Sequence, residues 1–422
     1  MEWKESPYFD YQDNVFHAEG VPVPEIVEAV GTPVFIYSRQ FLIDRARDFH
    51  AAFEEIPHTV FYAMKANYNL SIVRTLARRG CGVDVNSGGE LYRALKAEVS
   101  PDKILMAGVG KTEEEIRMAL ENDILLIKAE SRVEVEVINE IAGKLGKKAR
   151  VALRVNPDVS ADTHPYISTG LSSNKFGINA AEAALIFLDS SFTNVEFTGV
   201  DMHIGSQITT IEPYEEAITK LNELVRYLRE NGLELHHLDV GGGIGVEYQN
   251  EDTFTVFDYA KKIMPLLKKT GLHIFFEPGR YMTANGGILV TKALFNKTNN
   301  EKNFLIVDAG MNDLIRPSLY QAVHHIQPVL KRDEYTGIKA DVVGPICESG
   351  DFLGKDREMP VLERGELVAV LSAGAYGMVM SSNYNARSRA AEVMVIGDTW
   401  QIIRSRENYA HQIYDELDAF VG

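Results

Sequence analysis

The chain has 422 residues, too many for one ordinary hydrophobic core, so two domains are expected. Its formal charge of -17 argues against a polyanion partner, because nucleic-acid binding needs a basic face whose cations replace counterions on phosphates. Two cysteines cannot make a disulfide framework, Met1-Glu-Trp-Lys-Glu-Ser6 lacks the basic start and apolar core of a signal peptide, and no run approaches the roughly 18 apolar residues of a membrane span; a cytoplasmic protein is expected.

In chain order, the apolar run Thr32 to Tyr37 comes first and has no place in the repeat that follows; it is expected to pack, with the N-terminus, on a later β domain. Eight short strand-like runs come next: Thr59 to Met64, Gly82 to Val85, Lys103 to Met106, Ile124 to Lys128, Arg150 to Val155, Phe197 to Ile204, His236 to Val240 and His273 to Glu277. Helix-like stretches separate them, the signature of repeated βα units and a parallel sheet. Eight units over roughly 220 residues match a closed (β/α)8, TIM-like barrel. From Gly286 onward the pattern becomes alternating and β-rich, with Ile288 to Phe295, Phe304 to Asp308, Lys339 to Val343, Leu367 to Leu371, and a hairpin of Glu392 to Ile396 and Thr399 to Ile403 turned at Gly397-Asp398. The fold class is therefore α/β, a barrel over 38–285 plus a C-terminal all-β domain made of 286–422 with 1–37.

Barrel chemistry sits at the C-terminal ends of the strands, and the unusual residues of this chain fall there. Lys65 follows the first strand, Asp84 and Ser87 the second, Arg154 the fifth, His203 the sixth, Gly241-Gly-Gly243 the seventh and Glu277-Pro-Gly-Arg280 the eighth. In an apolar, partly desolvated position Lys65 is suited to forming a Schiff base with an aldehyde cofactor, pyridoxal 5'-phosphate. That cofactor needs a phosphate cradle, a partner for its ring nitrogen and a group packed on its ring. Gly241-Gly-Gly-Ile-Gly245 brings backbone N–H groups close to a phosphate, with Ser206 as a further donor. Glu277 is placed to hold the pyridine nitrogen protonated, a role that can coexist with a structural ion pair to Arg280. His203 is placed to stack on the ring, although a lone histidine is more often a core residue. The pairs His236-His237 and His324-His325 lack the i, i+4 spacing or the cysteine companions of a metal centre, and a metal site is rejected.

Phe61-Tyr-Ala-Met-Lys-Ala-Asn-Tyr-Asn69, His203-Ile-Gly-Ser-Gln207, the glycine run and Glu277-Pro-Gly-Arg280 together resemble the alanine racemase and ornithine decarboxylase superfold of pyridoxal-phosphate enzymes. Within it, His164-Pro-Tyr-Ile-Ser-Thr-Gly170 with Asn174-Lys-Phe-Gly177, Arg316-Pro-Ser-Leu-Tyr320, Gly344-Pro-Ile-Cys-Glu-Ser-Gly-Asp351, and Ala375-Tyr376 with Ser382-Asn-Tyr-Asn385 resemble the diaminopimelate decarboxylase family over nearly the whole chain. The resemblance implies that Lys65 carries the cofactor, His203 stacks on it, Glu277 holds its nitrogen, and Gly242, Gly243, Ser206, Gly279 and Arg280 cradle the phosphate. Asp84 and Arg154 belong to the cofactor side, and Tyr376 touches phosphate and substrate. It also implies that Arg280, Arg316 and Tyr320 grip a distal carboxylate, that Glu348 accepts a distal ammonium, and that Cys347 is the proton donor. Cys347 and Glu348 would serve the other subunit's site, making a homodimer; the implied reaction converts meso-2,6-diaminopimelate to L-lysine and carbon dioxide. Seen singly, Cys347 reads as an inert cysteine and the arginines as surface ion pairs. Ornithine, arginine and carboxynorspermidine decarboxylases stay open as alternatives. A racemase is disfavoured by an acid at 277 and by Cys347-Glu348 where a second base is needed, and a non-catalytic binding protein by the retention of Lys65 and the glycines.

Overall fold

The computed structural model describes residues 3–160, 175–249, 251–332, 337–417 and 419. The chain divides into two compact units: Ile43–Val246 with Glu251–Met282, and Met1–Leu42 with Glu247–Asn250 and Thr283–Gly422.

The first unit is a closed barrel of eight parallel strands: β1 (His58–Ala63), β2 (Gly82–Val85), β3 (Ile104–Met106), β4 (Leu126–Ala129), β5 (Ala149–Arg154), β6 (Val195–Asp201), β7 (His237–Asp239) and β8 (His273–Phe276), with β8 pairing back onto β1. The strands are buried on both faces because helices cover the outside and side chains fill the inside. The helices start where the sequence supplies a cap. Ser87, Thr112, Ser131, Asn179 and Thr255 each accept an N–H from the first turn of the helix that follows. Thr112 with Glu115 and Thr255 with Asp258 form reciprocal capping boxes. Inside the barrel, Phe61, Leu105, Leu126, Ala152 and Phe275 form one apolar layer, with the Phe61 and Phe275 rings 4.7 Å apart. Side chains alternate along a strand, so the residue two places on from each of these also faces the lumen, nearer the C-terminal rim. Those positions include Lys128, Arg154 and Glu277.

At the opposite end of the barrel lies a run of histidines. His237 stacks on Phe275 at 4.4 Å, His273 Nε2 meets Thr59 Oγ1 at 2.9 Å, and His50 Nδ1 meets His58 Nε2 at 3.2 Å. Burial, then neighbouring histidines, lowers the pKa of His237 to about 4 and lowers those of His50 and His273. Above the ordinary value of 6.5 these rings are neutral in both folded and unfolded chains. As pH falls below it the unfolded chain takes up protons first, so stability drops through the window from 6.5 to about 4. His237, which keeps some solvent contact, accounts for about 1–2 kcal/mol of that loss. Urea unfolding at pH 7.5 and pH 5 should show a smaller acid loss for His237→Phe than for the wild-type chain; an equal loss would remove His237 from the account.

In the second unit a nine-stranded sheet runs Phe352–Pro360, Gly337–Val343, Lys302–Val307, Gly287–Asn299, Val34–Ser38, Ala391–Ile396, Thr399–Arg404, with Ile326–Pro328 and Leu367–Val370 paired beside Gly287–Asn299. Val34–Ser38 sits between Gly287–Asn299, to which it is antiparallel, and Ala391–Ile396, to which it is parallel. Phe9–Gln12, Val15–Ala18 and Val21–Pro22 make a separate small sheet. Its Phe9 and Phe16 join Val34, Ile36, Ile288, Val290, Val393 and Val395 in one core. Phe352–Pro360, charged at its centre, carries no strand pattern in the sequence and is held as a strand by pairing with Gly337–Val343. Among the described residues no helix is long and apolar enough to cross a membrane.

Candidate active site

Lys65 lies on the single 3-10 turn Met64–Ala66 that caps β1. Met64 and Ala66 on that turn are buried, which sends the intervening side chain outward, and Lys65 is exposed rather than partly desolvated as expected. The turn is braced from both sides. Tyr62 donates its hydroxyl to Asn67 O at 2.8 Å, Ala63 N donates to Pro278 O at 3.3 Å, and Asn69 caps the helix Leu70–Ala77 by accepting from Ser71 N at 3.0 Å.

Beneath the rim is a layer of charge. The Lys128 ammonium, 1% exposed, donates to Asp201 Oδ1 at 2.7 Å, to Asp239 Oδ2 at 2.6 Å and to Glu277 Oε1. The structural partner of Glu277 is thus Lys128, not Arg280; residue 277 is the first beyond β8. Asp84, buried at the end of β2, has its carboxyl pushed well above the usual range by burial and then by Glu277. Asp239 is raised in the same way and for the same causes. The three acids around Lys128 lie within reach of one shared point, and the ammonium occupies it as their common donor. Lys128, Asp201 and Asp239 were missed by the sequence analysis, although each lies at or next to a strand end.

His203 lies two residues past β6, not within it, on the loop that also holds Ser206. Its Nδ1 accepts the Gly242 N–H at 3.2 Å, which leaves its proton on Nε2. Burial of the ring, then Lys65, Arg154 and Lys128, hold its pKa well below the ordinary value, so it presents a flat neutral face. The glycine loop packs against neighbouring backbone too closely for side chains. A Cβ on Gly242 would stand 2.0 Å from Glu277 O, and one on Gly243, whose φ is +98°, 2.4 Å from Gly205 O. Asp239 accepts Gly241 N at 2.8 Å and Tyr214 donates to Gly242 O at 3.0 Å, fixing the loop from behind. Arg280 Nη2 donates to Ser206 Oγ at 3.0 Å, joining the loops after β6 and β8. A Cβ on Gly279 would crowd Ala63 at 3.2 Å, which keeps that turn against β1. Arg154, at the end of β5, is paired with Glu130 at 3.1 Å and covers Phe176 at 4.8 Å. Ser87 is the helix cap already described.

In the second unit Arg316 opens the short helix Arg316–Tyr320 and is 5% exposed. Its guanidinium lies 4.4 Å over Tyr248 and donates to His324 Nε2 at 2.8 Å; His324 in turn donates from Nδ1 to Leu371 O at 2.8 Å. Tyr320 and Tyr376 are half-buried, and Tyr376 has a left-handed φ of 57°, a conformation that a tyrosine adopts at some cost. Cys347 and Glu348 are exposed; Cys347 N donates to Asn385 Oδ1 at 2.9 Å, and Glu348 hydrogen-bonds Tyr384, raising that hydroxyl's pKa. Asp351 ties their loop down by accepting Met311 N and Ile346 N, both at 2.6 Å. His164–Gly170 and Asn174 lie outside the described residues.

An exposed lysine over a buried carboxylate, a neutral imidazole and a glycine cradle suits pyridoxal 5'-phosphate. Residues 39–284 match the family described as pyridoxal-dependent decarboxylase, pyridoxal binding domain, so the class is a pyridoxal-dependent decarboxylase. The diaminopimelate decarboxylase of Aquifex aeolicus is 48% identical over 98% of each chain. Among solved structures, diaminopimelate decarboxylase from Helicobacter pylori complexed with L-lysine is 42% identical, covering 94% of this chain and 100% of its own, with a TM-score of 0.91. The M. jannaschii enzyme in co-complex with L-lysine is 37% identical over 98% of each chain, with a TM-score of 0.92. The chain belongs to the diaminopimelate decarboxylase family.

Proposed function

We propose that the chain decarboxylates meso-2,6-diaminopimelate to L-lysine and carbon dioxide, the final step of lysine biosynthesis, in the cytoplasm and as a homodimer. One observation carries the chemistry: the residue closing the barrel beside the lysine turn is a carboxylate, Glu277, held by a buried ammonium. Pyridoxal 5'-phosphate, when bound, supplies the electron sink for the pair left behind as the carboxylate departs. Lys65 Nζ would hold the cofactor at its aldehyde carbon. Glu277 would hold a proton at the ring nitrogen, and His203 would pack on the ring as a neutral group. Gly242, Gly243, Ser206, Gly279 and Arg280 would hold the phosphate, Tyr376 would reach phosphate and substrate, and Asp84 and Arg154 would belong to the cofactor side. Arg280, Arg316 and Tyr320 bind the distal carboxylate, a charge match for planar guanidinium forks. Glu348 accepts the distal ammonium, and Cys347 Sγ delivers a proton to the α-carbon in the partner subunit's site.

The test is product analysis. Purified chain supplied with pyridoxal 5'-phosphate and meso-diaminopimelate should release carbon dioxide and L-lysine in equal amounts. Carbon dioxide without L-lysine, or racemised substrate without carbon dioxide, would overturn the reading.

A further inference from the structure

Barrel lumens are usually closed by layers of branched apolar side chains. The layer above Phe61, Leu105, Leu126, Ala152 and Phe275 instead holds Lys128 from β4, Asp84 from β2, Asp201 from β6, Asp239 from β7 and Glu277 after β8. An ammonium has three N–H donors, and here each meets a different carboxylate. We infer that Lys128 is a positioning residue for the decarboxylation, keeping Glu277 ionised and aimed by neutralising the carboxylate layer around it. This rests on the reading that Glu277 holds the ring nitrogen.

The physical argument is one of charge in a place without water. Lys128, Asp201, Asp239 and Glu277 are all buried, and Asp84 beside them is buried too. Buried carboxylates without a counter-charge take up protons instead of staying ionised. Counting the three paired acids, one cation against three anions leaves a net charge of -2. Removing the cation makes it -3, with Asp84 adding to the repulsion, and the layer sheds charge by protonation. A protonated Glu277 cannot serve as the anionic partner of a ring N–H. Lys128 also occupies one oxygen of Glu277, which fixes the plane of the carboxylate and orients the other. The other groups in this field are Lys65 and Glu90, whose charges act on Asp84, the neutral His203, and Arg154, which is paired with Glu130.

The sign of the pH effect follows. In Lys128→Met the buried carboxylates lose their counter-charge, so the cost of keeping them ionised in the folded chain grows as pH rises and fades as it falls. With full-length holoenzyme, the melting-temperature gap between wild type and Lys128→Met should be wide at pH 8 and narrow toward pH 5. At pH 8 kcat should fall at least about tenfold with KM changed by less than about twofold, and the acid limb of the kcat profile should move to higher pH. Lys128→Met with Asp201→Asn removes one cation and one anion, returns the count to -2, and should recover both the melting temperature and kcat. If the single variant does not fold at pH 8, recovery of folded, active protein in the double variant carries the same information. A gap independent of pH, or no recovery in the double variant, would mean that Lys128 only fills space. A pH-dependent gap with unchanged kcat would leave the charge layer standing but overturn the role of Glu277 at the ring, and with it the positioning role.

Discussion

Lys65→Ala is expected to lose the visible absorption of the bound cofactor and all but a trace of turnover. Lysine is the only common side chain that forms a stable imine with an aldehyde, and Lys65 is the residue at the β1 rim that stands clear of the packed turn. Because it is exposed while Met64 and Ala66 hold the turn in the core, its replacement should shift stability by no more than about 0.5 kcal/mol. Loss of function with unchanged melting of the cofactor-free proteins therefore separates chemistry from folding. Melting curves before reconstitution, and absorption spectra and carbon dioxide release after it, make the comparison. A fully active Lys65→Ala protein would end the proposal.

The second large effect is on substrate choice. Wild-type kcat/KM for meso-diaminopimelate should exceed that for L-ornithine or L-lysine by roughly 10⁴ or more, as in sites that reject analogues lacking a partnered polar group. Arg316 is permanently charged and buried, stacked on Tyr248 and hydrogen-bonded to a neutral His324, so an incoming carboxylate has a strong electrostatic match there. Arg316→Met should mainly raise KM for diaminopimelate and narrow the gap to substrates with no distal carboxylate. It also strips His324 Nε2 of its donor, at a cost of about 1–3 kcal/mol in stability. Steady-state kinetics with the three amino acids decides it: comparable wild-type kcat/KM for ornithine and diaminopimelate would point instead to a polyamine-type decarboxylase.

Local chemistry made much of this legible in the chain. The eight barrel strands follow from apolar runs punctuated by capped helices, and Lys65, the glycine loop and Glu277 follow from their places at strand ends, because backbone geometry and periodicity are encoded by near neighbours. Closure of the sheet decided the rest. Lys128 reads as the last residue of an ordinary strand until β4 faces β6, β7 and β8 across the lumen, which brings it to acids 73, 111 and 149 residues away. Arg316 reads as a surface cation until His324 and Tyr248 enclose it, and Phe352–Pro360 becomes a strand only when Gly337–Val343 supplies its hydrogen bonds. Sequence by itself determines where the barrel strands run and what stands at their ends. Which charges share a buried space is settled only by tertiary contact, because burial and pairing energies depend on neighbours that are remote along the chain.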